Sequence, residues 1–347
     1  MVTPTSRSTS VGLSVVVMML FIPLFMYSVE RSAVMPKMIR QLIGPKILIL
    51  TPIRNAETEL DWYARLIWNF SYPRSLVSIA FGEDNSNDAT VLKATELVTS
   101  LRQEFRRAEI FQLHELNGTA KAWKNKHAKA IQYERRSHLS IVRNMLVSSA
   151  LKDEDFVLWI DSDIEEAPRD MIDQMLQVHK DIVVPVCLIR HGKRETVYDR
   201  NTWIETKKSL RFQKNADSNY LLLEGYRQRR PLRSFALLKN VKYKGDVVKV
   251  DGVGASVLLI KAVHIRKGLC FPPFVFKRHI ESEGLARMAH EMGLTMWLMP
   301  KLKVYHACNE ESSQAACFKE KDSAPKVKPT KVPRRRNKKR RKSLSTL

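Results

Sequence analysis

Short apolar segments alternate with amphipathic ones along most of this 347-residue chain, which predicts an α/β fold with a mostly parallel central sheet. Two further observations support that class. Phe156-Val157-Leu158-Trp159-Ile160 has the pattern of a buried strand and breaks abruptly into Asp161 and Asp163. Such a pair suits the carboxyl end of a strand, where open α/β sheets take up ligands. No repeat recurs at solenoid spacing.

In order along the chain, Lys46-Ile-Leu-Ile-Leu50 reads as the first buried strand, broken by Thr51-Pro52-Ile53-Arg54-Asn55. Asn55 is a suitable N-cap for a helix whose stripe, Leu60, Tyr63, Ile67 and Phe70, stops before Pro73. A second strand is expected over 75–81, ending in Gly82-Glu83-Asp84. A helix over 89–105 carries Val91, Leu92, Thr95, Val98 and Leu101 near one face, and 108–113 gives a third strand. The basic stretch 117–136 lacks periodicity and is expected to be a loop. A helix over 139–151 then feeds the Asp161/Asp163 strand.

Pro168 opens another helix, with Met171, Ile172, Met175 and Leu176 inward, and a strand over 181–188 follows. Residues 201–244 are basic and resist assignment. Residues 247–260 form an apolar run interrupted by Asp251-Gly252-Val253-Gly254. Residues 281–292 read as a helix with Gly293 as its C′ residue, and 294–304 as the last strand, with His306 just past its end.

This length holds one large domain or two small ones with ample core. Of the net charge of +23, +11 lies between 319 and 343, where disorder is expected; the remaining +12 suits polyanionic or phosphorylated ligands. Residues 11–29 carry no charged side chain and approach the ~20 residues needed to cross a bilayer. A cleaved signal peptide is the competing reading, but its apolar region runs about 7–15 residues, and no small-x-small site follows here. Arg7 before the segment and Arg31, Lys37 and Arg40 after it leave orientation open. Cys187, Cys270, Cys308 and Cys317 form no CxxC pair, which argues against a zinc ribbon or thioredoxin-like site; disulfides and buried thiols both remain possible. Asn69 and Asn117 open sequons that matter only in a secreted domain.

Asp161 and Asp163 can hold a hard divalent cation, and the cation a diphosphate. The neutral imidazole of His306 as third ligand would suit Mn²⁺ at least as well as Mg²⁺, although a surface histidine is the ordinary case. Asp84 can take a ribose or base edge, or form an Asx turn and cap. Its segment, Asp84-Asn-Ser-Asn-Asp88, lacks EF-hand spacing. Arg143-Asn144 can bridge a diphosphate, or Arg143 can simply be solvated. Asp251 sits beside glycines that permit close approach, which favours a sugar pocket; unpaired and buried, it would be costly.

Thr51-Pro-Ile-Arg-Asn55, Trp159-Ile-Asp-Ser-Asp-Ile164, Tyr198-Asp-Arg-Asn-x-Trp203, Asp251-Gly-Val-Gly254, Ile280-Glu-Ser-Glu-Gly284 and His306-Ala-Cys-Asn-Glu310 occur in that order. Together they resemble the fungal-type Golgi mannan polymerase α-mannosyltransferases, glycosyltransferase family 62, from about residue 46 to 310. The resemblance implies a GT-A fold, GDP-mannose as donor, Mn²⁺, retention at the anomeric carbon and type II Golgi topology. The implied plan is a cytoplasmic tail over 1–10, an anchor over 11–29, a stem over 30–45, a lumenal GT-A domain over 46–318 and a basic tail over 319–347. Asp161, Asp163 and His306 match the family's metal positions. Asp251, Glu281 and Glu283 match its acidic active-site positions, and Pro52, Arg54, Asp84, Arg143 and Asn144 fall to the donor. Ser162 and Ala255-Ser256 depart from the small residues of the pattern, and the second change can reshape the acceptor pocket. The resemblance further implies a mannose-terminated acceptor and work within a hetero- or homo-oligomeric complex at the Golgi membrane. A non-catalytic or accessory subunit is therefore the alternative reading. The tail also suggests nucleic-acid binding, which the anchor and the strand-end carboxylates argue against.

Overall fold

A computed structural model describes residues 44–113, 131–191, 194–217, 220–222, 234–235 and 245–307. The anchor at 11–29, most of the stem, Asn117, Cys308, Cys317 and the basic tail lie outside the described residues. Among the described residues, no helix is long and apolar enough to cross a membrane.

Alternation of apolar side chains drives β1 (Ile47–Ile53) into the centre of a sheet covered on both faces. Ile47 and Ile49 pack on one face with Tyr63, Ile67 and Leu101, whereas Leu48 and Leu50 pack on the other with Val142, Leu146 and Leu285. The chain continues through α1 (Glu59–Asn69), β2 (Val77–Glu83), α2 (Thr90–Leu101), β3 (Arg107–Gln112), α3 (Gln132–Ala150) and β4 (Phe156–Ile160). β5 (Ile164–Glu166), α4 (Met171–Gln177), β6 (Ile182–His191), β7 (Arg194–Val197), β8 (Trp203–Ile204), α5 (Lys207–Asn215) and β9 (Ser234–Phe235) follow. β10 (Val248–Val250), β11 (Val257–Lys261), α6 (Ala262–Arg266), α7 (Glu281–Glu291) and β12 (Met296–His306) complete it.

The main sheet runs β10-β12-β6-β11-β4-β1-β2-β3, with β5 on β12 and β7 on β6. The α/β class is as expected, but the sheet is mixed rather than mostly parallel. β3, β2, β1 and β4 pair in parallel because helices return the chain between them. β11 arrives from the glycine turn after β10 and inserts antiparallel between β4 and β6. β7 and β10 are antiparallel as well, while β12 lies parallel to β6.

Three local expectations are corrected. Asn55 is not the N-cap of α1, which is Thr58; it adopts a left-handed backbone (φ 48°), and its Oδ1 accepts the Asn87 N–H at 2.9 Å. The expected loop 117–136 becomes helical from Gln132. The reason is a polar buried face, Gln132, Arg136, Ser140 and Arg143, which carries no apolar periodicity to read. His306 ends β12 instead of following it. The α7 terminus behaves as expected: Gly293 (φ 74°) closes it, with the Leu294 N–H bonded to the Ala289 carbonyl at 2.9 Å.

Candidate functional site

β1, β2, β4, β6 and β12 all end at one edge of the sheet, and the amino end of α7 meets them there. Pairing fixes the carboxylates of that edge. The Asp161 N–H donates to the Ser256 carbonyl at 2.9 Å, so β11 holds the end of β4. The Ala307 N–H donates to the Asp163 carbonyl at 2.8 Å, which delivers His306 beside Asp163. Its Nε2 lies 2.8 Å from Asp163 Oδ2, and Tyr198 stacks on the imidazole with ring centroids 3.6 Å apart.

α3 supplies the cations. Arg136 and Arg143 are seven residues, two turns, apart and so share one helical face. Arg143 Nη2 donates to Asp161 Oδ1 at 3.0 Å, and its Nη1 pairs with Glu281. Arg136 Nη1 reaches Glu283 at 3.1 Å and Glu281 at 3.9 Å. Trp203 Nε1 donates to Glu283 at 3.1 Å. Glu281 opens α7 with φ 58°, a left-handed backbone rare for a residue with a Cβ and common at functional sites.

Charge at this edge is unevenly matched. Burial pushes Asp161 up to about 7; Arg143 pulls down, while Asp163 and Glu281 add to the rise. Burial also favours neutral Glu281, yet Arg143 and Arg136 hold it below the usual range. Arg143 is kept charged against its burial by Glu281 and Asp161. Burial opposes the His306 imidazolium, but Asp163 outweighs that and raises its pKa.

The chemistry of the donor set, two carboxylates and an imidazole, fits a divalent cation, and the negative charge of Asp163 and Glu281 beside Asp161 is of the kind a cation would offset. The trio expected from sequence is not preassembled, however. Among the described residues no three His, Cys, Asp or Glu groups form a ready cage. His306 Nε2 is spent on Asp163, and Arg143 draws Asp161 toward Glu281.

The other expected residues divide. Arg54 Nη1 lies 3.2 Å from Asp84 Oδ2, and His138 Nε2 lies 2.7 Å from the same oxygen, so these form a neighbouring cluster at the ends of β1 and β2. Pro52 pairs in β1 opposite Gly82. Asn144 does not face this cluster: its carboxamide donates to the Phe271 carbonyl at 2.7 Å and accepts the Phe271 N–H at 3.0 Å. Asp251 Oδ2 accepts the Glu205 N–H at 2.7 Å. The glycines beside it admit protein side chains. A Cβ on Gly252 would strike the Trp203 ring, and one on Gly254 would fall on the Asp199 carboxylate.

Sequence reading missed Arg136, His138 and Asp199. The seven-residue spacing of Arg136 and Arg143 was the available signal for the first. Asp199 lay within the Tyr198-to-Trp203 motif without any residue-level reason to select it.

The Anp1 family profile matches residues 37–275. The mannan polymerase complex subunit mnn9 of Schizosaccharomyces pombe is 32% identical over 273 residues, covering 75% of this chain and 80% of that protein. The mannan polymerase complex subunit MNN9 of Candida albicans is 30% identical over 279 residues, covering 75% of this chain and 74% of that protein. Among solved structures, a mannosyltransferase from Pyrobaculum calidifontis in complex with GDP-Man and Mn²⁺ aligns at TM-score 0.48 and 12% identity. That alignment covers 86% of this chain and 67% of the other, a likeness too loose to bear on chemistry. On the extent of the profile match and the identity to these relatives, the chain belongs to the Anp1 family.

Proposed function

We propose that this chain is a Golgi α-mannosyltransferase of GT-A type, anchored by residues 11–29 with its catalytic domain lumenal. It transfers mannose from GDP-mannose to a mannose-terminated mannan or N-glycan acceptor, with retention, inside a mannan-polymerase-type complex. The observation that carries the reading is the acid-rich strand edge around Asp161, in a chain whose relatives bear the names of mannan polymerase subunits.

Asp161 and Asp163, with His306, would hold a divalent cation, Mn²⁺ in this reading. The cation supplies Lewis-acid stabilisation of the departing diphosphate. Arg143 places a fixed guanidinium beside it, where it can face phosphate oxygens in place of Asp161. Glu281, held ionised between two arginines, is the carboxylate suited to stabilise positive charge at the anomeric centre. Glu283 is fully buried and bonded to Trp203 and Arg136, which suits it to orienting the start of α7. Arg54, Asp84 and His138 suit a ribose or base edge.

The test is GDP release from GDP-mannose by the detergent-solubilised full-length chain, with a mannoside acceptor, with and without Mn²⁺. Metal-dependent, acceptor-stimulated release is expected. Donor binding without turnover, alone and with partner subunits added, would replace this reading with the accessory-subunit one.

A further inference from the structure

The acceptor hydroxyl must lose its proton whatever route is taken at the anomeric carbon, and the carboxylates selected from sequence do not serve that step. Asp251 caps the Glu205 N–H, Glu283 is enclosed by Trp203 and Arg136, and Glu281 lies between two arginines that lower its basicity. Asp161 and Asp163 belong to the proposed cation. Asp84 is engaged by Arg54 and His138, and among the described carboxylates that remain at this edge Asp199 has the required disposition.

Asp199 lies in the segment between β7 and β8 that crosses the edge, next to Tyr198, whose ring covers His306. Its Oδ1 accepts the Asn201 N–H at 2.8 Å, while Oδ2 makes no hydrogen bond among the described residues. The carboxylate rests against Gly254: a Cβ there would sit 1.4 Å from Oδ2 and 2.1 Å from Cγ. A glycine is thus needed at 254 to admit an acid at 199. Gly254 is also two residues before Ser256, whose carbonyl fixes Asp161, so Asp199 is held beside the end of β4.

Building on the transferase reading, we propose that Asp199 is the general base that accepts the proton of the acceptor hydroxyl. The acceptor O–H proton passes to a carboxylate oxygen of Asp199, and the freed oxygen pair forms the bond to the anomeric carbon on the face from which the diphosphate departs, as retention in a single step requires. The anomeric carbon–oxygen bond to the diphosphate breaks, its electron pair leaving with the diphosphate; Asp199 then releases the proton to water. Its environment supports that task. Burial, then the nearby Glu281 and Glu283 of α7, push Asp199 up to about 6, against the Asn201 N–H and Arg136 of α3. Arg143 of α3 and Cys187 of β6 also feel its charge. A base with a pKa just below neutral is ionised yet able to take a proton at working pH.

The competing role, a turn-forming carboxylate, needs only an acceptor for the Asn201 N–H, which asparagine provides equally well. D199N in the full-length chain therefore separates the two. The expected result is at least a hundredfold loss of transfer to a mannoside with GDP-mannose affinity unchanged and the melting temperature equal or higher, and partial rescue of D199A by added formate. Transfer by D199N within threefold of the parent would overturn the assignment, as would a D199A variant that melts like the parent but is unmoved by formate. If the parent neither binds GDP-mannose nor transfers, the transferase reading falls and this inference with it. A parent that transfers beside an equally active D199N removes the inference alone.

Discussion

Two buried ion clusters occupy opposite edges of the same sheet, and their contrast separates fold from function. At the amino end of β4, Glu154 is fully buried, 2.6 Å from Arg107 and 3.3 Å from Arg106, and its other oxygen accepts the Lys152 N–H at 2.9 Å. Burial would raise its pKa, but hydrogen bonds from Ser78, Arg107 and the Lys152 backbone hold it below the usual range. At the carboxyl end, Asp161 shares Arg143 with Glu281 and faces Asp163, and its pKa climbs to about 7. Both carboxylates are arginine-paired. Glu154 is held ionised by its partners, whereas Asp161, buried with Asp163 and Glu281 beside it, is not, and that contrast supports the proposal that this edge takes a cation.

Substitutions can break that contrast. D161N should abolish transfer, by roughly a thousandfold or more, while leaving the melting temperature equal or higher, since it relieves like-charge crowding. Steady-state turnover and thermal melting on one preparation check both halves. E154Q should do the reverse: it weakens the pairing of Arg106 and Arg107, which keep Asp153 and Glu109, and costs about 2 kcal/mol in denaturant unfolding, with turnover per folded molecule intact.

The clusters should also part in their response to pH. The folded pKa of Glu154 is depressed, so its stabilisation is present above the unfolded value near 4.5 and is lost as pH falls through the lower folded value. The folded pKa of Asp199 is raised to about 6, so its stabilisation is present below 3.8 and is lost as pH rises from about 4 to 6. Melting temperature against pH for the metal-free chain should lose its decline between pH 4 and 6 in D199N, and lose part of its acid-side fall in E154Q. The smallest effect is expected at D251N. Asparagine can still accept the Glu205 N–H, so transfer should stay within about threefold and stability within about 1 kcal/mol. A large catalytic loss there would restore Asp251 to the site and shift the contrast described above.

What could be read from sequence follows the same division. β1, β4 and β6 are apolar runs with abrupt polar ends, so their local pattern located Asp161 and Asp163 correctly at a strand end. Glu281 and Glu283 were placed on a helix whose amino end meets them. The start of α3 was hidden because its inward face is polar, matched to the acids of α7 instead of to the core. The antiparallel insertion of β11 was hidden because strand partners distant in sequence leave no local trace. Asp251 stood out as a carboxylate in an apolar run, yet its partner is a backbone amide 46 residues away. The acid that those glycines accommodate is Asp199, an assignment that required the chain to be folded.

The most direct test of the Asp161 edge as a cation site is Mn²⁺ binding by the full-length chain, followed by electron paramagnetic resonance, with D161N and E154Q in parallel. One Mn²⁺ per parent chain, held more tightly with GDP-mannose present, lost in D161N and kept in E154Q, is the predicted result. Equal binding by the parent and D161N, or none by the parent even with GDP-mannose, would contradict it.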